Sequence, residues 1–93
     1  MPRNTDLKFQ DPLDEEVNNI DWNKLIKVYM LLNTVAYNRP YIGNHLDNFI
    51  SYIPQKRALY NLGYALRFIK MYEKEFTEEE KQIIEKIIKL LSE

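Results

Sequence analysis

Apolar residues return every three or four positions over most of this chain, the spacing that gives a helix one buried side. Four such stretches stand out. Over 22–38, with Asp21 as N-cap, Trp22, Leu25, Ile26, Val28, Tyr29, Met30, Leu32, Val35, Ala36 and Tyr37 cover well over half the helix circumference. That pattern predicts a central helix buried on most sides. Arg39-Pro40 ends it, because proline disfavours helix in the residue before it. A second helix over about 41–53, or capped only at Asn44 after Gly43, carries its core stripe at Ile42, Leu46, Phe49, Ile50 and Ile53. Pro54 divides it from a third over 55–75, where Ala58, Leu59, Leu62, Ala65, Leu66, Ile69 and Phe76 fall within an arc of about 120°. The last, over 78–91, opens on Thr77 and Glu80 in capping-box spacing. It turns Ile83, Ile84, Ile87, Ile88, Leu90 and Leu91 inward and pairs Glu85 with Lys89 outside.

Ahead of these helices, Asp11-Pro12 with Asp14, Glu15 and Glu16 reads as a short helical turn with its acids at the positive end. Residues 1–10 lack periodicity; Leu7 and Phe9, two apart, suit a flexible or extended arm laid on a surface. Connections of two to four residues force neighbouring helices to be antiparallel or sharply angled. The expected fold is all-α: one helical domain over 11–93, a compact bundle of four main helices plus a short N-terminal helical turn.

Composition narrows the function more than it defines it. A 93-residue domain has a thin core and little room for a large substrate cleft. Seven Tyr, four Phe and one Trp are more rings than such a core comfortably holds, so some are expected at an interface. The net charge of −1 supplies no global field for nucleic acid or acidic lipid. Cysteine is absent, which removes disulfides and thiolate chemistry and fits a reducing compartment. No secretory signal is read at the N-terminus, and the longest apolar run, Val28–Leu32, falls far short of the ~20 residues a bilayer needs. A cytoplasmic protein is expected. The abundance of Ile, Lys, Asn, Tyr and Phe, all with AT-rich codons, fits a phage or viral source.

Catalytic and metal signatures are missing. The chain has two serines and a single histidine, and Ser51 lies about 240° around the helix from His45, so the two cannot meet in one chain. One His without Cys makes no zinc set. The glycines at 43 and 63 are isolated, so no phosphate-cradling loop forms. The acids Glu78 and Glu79, with Glu80, are suited to a helix first turn rather than to acid–base work. Glu73 falls inside an apolar arc, but near a helix end, where exposure or a surface ion pair is the plainer reading. No catalytic residue, cofactor, metal or small-molecule substrate is expected.

Three surface features stand above that background. On the outer side of the 55–75 helix, Lys56, Arg57, Tyr60, Tyr64, Arg67, Phe68, Met71 and Lys74 share about a third of the circumference. Cations interleaved with rings and a Met suit a protein interface, and the same mixture suits single-stranded nucleic acid. The plainer reading packs Phe68 and the Tyr rings under the N-terminal arm, with Lys and Arg stems covering them. The second feature is the line Tyr41, His45, Tyr52 along one edge of the 41–53 helix, a ligand-contacting or pH-sensitive spot unless His45 is simply hydrogen-bonded. The third is Asn33, placed by its wheel angle in the apolar arc of the 22–38 helix, where it would set helix register or dimer pairing if buried.

These features favour a non-enzymatic protein–protein interaction module: an adaptor, inhibitor or assembly subunit that binds another protein or itself as a homodimer. The alternative is a nucleic-acid-binding protein using the basic-aromatic face of the 55–75 helix. An enzyme ranks third, since it would need a second chain to complete its site.

Overall fold

A computed structural model describes residues 11–93; the arm expected over 1–10 lies outside them. Four helices are present: α1 (Trp22–Val35), α2 (Pro40–Tyr52), α3 (Lys56–Met71) and α4 (Glu78–Ser92). Short 3-10 turns occupy Pro12–Asp14 and Glu73–Glu75. The all-α bundle is as the periodicity predicts, and no described helix is long and apolar enough to cross a membrane.

Most helix starts follow local chemistry. The Asp21 carboxylate accepts from the Lys24 N–H at 3.1 Å, and Asp11 accepts from Leu13 N–H at 2.9 Å. Thr77 and Glu80 close a reciprocal capping box. Pro40 occupies the first position of α2, where its missing N–H costs nothing. α3 has no side-chain cap. Its Lys56 N–H is taken instead by the Glu15 carbonyl at 2.7 Å, and Val17 N–H donates to the Pro54 carbonyl at 3.0 Å. The segment 15–17 is thus laid against the α2–α3 corner and serves as the cap of α3.

α2 and α3 pack along their lengths, while α4 packs chiefly on α1. The core between them is Val28, Leu32, Val35 and Ala36 from α1 and its end, Ile42, Leu46 and Phe49 from α2, Ala58, Leu62, Ala65 and Ile69 from α3, then Phe76 and Ile87. Phe49 anchors it, with Trp22 at 6.4 Å and Tyr29 at 5.7 Å between ring centroids.

Several expectations are corrected. α1 is not buried on most sides: Met30 is 63% and Tyr37 86% exposed. Neighbours cover only the side bearing Val28, Leu32 and Val35, so the arc through Met30 and Tyr37 faces out. Asn33 lies on that outer arc and is exposed, so it has no desolvated amide to satisfy. Ile50, Ile88 and Leu91, expected in core stripes, are 40%, 57% and 38% exposed. α3 stops at Met71, and Glu73–Glu75 form a separate turn that brings Phe76 back into the core. On α4, the ion pair is Lys81–Glu78 at 3.8 Å rather than Glu85–Lys89.

One polar contact ties three helices together. Arg39 Nη1 donates to Glu80 Oε2 at 2.7 Å and to the Val35 carbonyl at 2.7 Å, and Nη2 donates to Glu80 Oε1 at 3.2 Å. The guanidinium also lies 4.4 Å over the Phe76 ring. The hydrogen bond from Arg39, then that from the Thr77 N–H, holds the Glu80 carboxyl below the usual carboxylate range. A depressed carboxylate stabilises the fold at pH above its unfolded value of about 4.3, and this is lost as pH falls through the folded value. Glu80→Gln is therefore expected to cost about 1.5–3 kcal/mol at neutral pH in urea unfolding. Its stability should also fall less steeply than that of wild type on acidification below about pH 4. Equal loss in both proteins across that window would contradict the assignment.

Candidate functional site

The eight residues of the outer α3 face do not act as one surface. The first turn of α3 is committed inward. Arg57 Nη2 lies 2.9 Å from Asp14 and 3.3 Å from Asp11, and its guanidinium sits 4.9 Å from the Tyr52 ring centroid. Lys56 Nζ is 3.9 Å from Glu15. The acids of the N-terminal turn reach these cations because the 15–17 segment is pinned beside the start of α3. Half the cationic charge read on this face is thereby matched.

Further along, Tyr60 and Tyr64 remain 45% and 46% exposed and border an open cleft of about 510 Å³ with Leu13, Arg57 and Asn61. Phe68 does not face out. It turns into the α2–α3 seam, where its ring lies 5.6 Å from Tyr41, 5.6 Å from His45 and 6.4 Å from Tyr72. His45 also meets Tyr64 at 5.2 Å, and Tyr41 meets Tyr72 at 5.3 Å. Tyr41 and His45 of α2 are thus joined to Tyr64 and Phe68 of α3 in a single row of rings. Tyr52 is not part of it, being drawn to Arg57. Arg67, Met71 and Lys74 are exposed beyond the row, and none of the ion pairs among the described residues involves Arg67 or Lys74.

Beneath the row lies Asn61, the buried polar side chain of the core at 9% exposure. Its Nδ2 donates to the Arg57 carbonyl at 2.9 Å, which leaves Oδ1 to face His45 Nδ1 at 3.1 Å and Asn48 Nδ2 at 3.4 Å. An amide oxygen only accepts, so the His45 proton sits on Nδ1 and Nε2 is the ring's acceptor. Sequence reading missed Asn61, and no signal along the chain marked it, since its partners are 13 and 16 residues away on another helix. Tyr72 did carry a signal: it continues the four-residue spacing of Tyr64 and Phe68.

Ser51 Oγ donates back to the Asp47 carbonyl at 2.9 Å, away from His45. Among the described residues, no three His, Cys, Asp or Glu side chains gather as a metal ion would need. Compared with family models, curated proteins and solved structures, the chain matches none.

Removing the Asn61 amide leaves a His45 N–H and an Asn48 N–H without their acceptor. Asn61→Ala is expected to cost about 1–3 kcal/mol in chemical unfolding. In the wild type, nitrogen NMR of the neutral His45 ring should show the proton on Nδ1. The same spectrum in the variant should show that preference gone; a wild-type ring protonated on Nε2 would contradict the network.

Proposed function

We propose that this chain is a small, non-enzymatic protein-interaction module that docks a partner protein on the outer face of α3. The observation that carries the reading is the strip of Tyr60, Tyr64 and Met71, which are 45%, 46% and 61% exposed on one side of a helix whose opposite side enters the core. Rings of this kind on a fixed helix bury large areas at small entropic cost, as interface anchors do. Tyr64 is held from behind by His45, so its ring is placed before a partner arrives. The cleft beside Tyr60 and Tyr64 suits an apolar side chain, and Arg67 suits an acidic residue next to it.

Nucleic acid is the less favoured occupant. Binding through phosphates needs several unmatched cations, and Lys56 and Arg57 already face Glu15, Asp14 and Asp11. That leaves Arg67 and Lys74 on the strip.

The test is selection of a displayed peptide library on the wild-type protein, followed by affinity measurements on Tyr60→Ala/Tyr64→Ala and Arg67→Glu. Enriched peptides should share an apolar anchor flanked by acids. Losing both rings should weaken them by about 30-fold or more, the scale of two hot-spot residues, with helicity unchanged. Peptides that bind the double variant equally well would sink the reading. Tight, steeply salt-dependent binding of oligonucleotides that Arg67→Glu abolishes would replace it with the nucleic-acid alternative.

A further inference from the structure

α3 and α4 touch little along their lengths, and the gap between them is an apolar groove of about 380 Å³. Leu66 and Ile69 line it from α3, and Ile84, Ile88 and Leu91 from α4. Ile88 and Leu91 are 57% and 38% exposed, at the spacing of a helix seam with Ile84. This side of α3 is not the one bearing Tyr60 and Tyr64, so the groove is separate from the partner-docking strip.

We infer that the groove is occupied by a second copy of this chain, which makes the protein a two-fold dimer through α4. The first reason is shape. α4 is at once a wall of the groove and an exposed apolar ridge, so one two-fold axis along it covers both copies' ridges together, with no unmatched surface left to propagate. The second reason is charge. The rims are balanced in charge: Lys70 of α3 and Glu73 of the turn after it border the groove, and Lys74, Glu78, Lys81 and Glu85 border the adjoining cleft that shares Glu73 and Ile84 with it. A strongly acidic or basic partner gains nothing on such balanced rims, whereas the chain's own rims complement each other.

The register follows from the fold. Glu73 shares one end of the groove with Lys81 and Ile84. Lys70 lies about one helical turn before Glu73 and lines the groove together with Ile87, Ile88 and Leu91. With the two-fold parallel to α4, equal levels of the two copies meet. Each Glu85 then faces the partner subunit's Lys70. Neither Glu85 nor Lys70 has an ion-pair partner among the described residues.

Sedimentation equilibrium on the full chain tests this. Wild type is expected to be dimeric, and Ile88→Glu monomeric with unchanged circular dichroism, since Ile88 is more than half exposed. Glu85→Lys should weaken the dimer by about tenfold, because two surface pairs per dimer turn repulsive. Adding Lys70→Glu to that variant should restore it. Tyr60→Ala/Tyr64→Ala should associate like wild type, which separates this inference from the docking strip. A wild type that stays monomeric up to about 1 mM, a dimer indifferent to Ile88→Glu, or a charge exchange that fails to restore association would each overturn it.

Discussion

Everything in this fold is referred to the point where Arg39 meets Glu80. Arg39 directly precedes the first residue of α2, and its guanidinium donates to the carbonyl of Val35 at the end of α1, binds Glu80 in the first turn of α4 and covers Phe76. Three of the four helices therefore share one set of hydrogen bonds. A thin core needs such a device, because apolar burial alone leaves the relative angles of short helices loosely set. The planar fork of Arg sets direction as well as distance, which a Lys at this position would not do.

The same shortage of interior explains the surfaces. Thirteen apolar residues among those described are buried, and the remaining large side chains must be shared among half-covered positions or left outside. α3 shows how the shortage is distributed. One side enters the core, a second sets Phe68 against His45 in the seam with α2, a third presents Tyr60 and Tyr64, and a fourth borders the groove. Each side is apolar enough to matter, and only two are filled from within the chain. The helix therefore keeps two apolar sides uncovered by the other described helices.

Asn61 and Arg57 show how few polar side chains so small a body can commit to its own architecture. Asn61 accepts burial because its amide has a partner at each end, and in return it sets the orientation of His45 behind Tyr64. Arg57 is anchored by Asp11 and Asp14, which fixes the N-terminal turn but removes a cation from the outward face.

The sequence by itself determined the number of helices, the caps at Asp21 and Thr77, and most of the core of α2 and α3, while leaving the start of α2, at Pro40, open between Tyr41 and Asn44. These are matters of one or two helical turns, where spacing and capping chemistry act over a few residues. Tertiary structure decided which apolar arcs were actually covered. The wheel placed Asn33 and Met30 inward because their arc is apolar, but no neighbour lies on that side of α1. It also decided that Tyr52 and Arg57 pair off, that Tyr41 and His45 join the rings of α3, and that Asn61 rather than Asn33 is the buried amide. Those outcomes rest on contacts between residues far apart in the chain, which depend on how the helices pack. A local pattern cannot specify packing, because every helix offers more apolar circumference than its neighbours can cover.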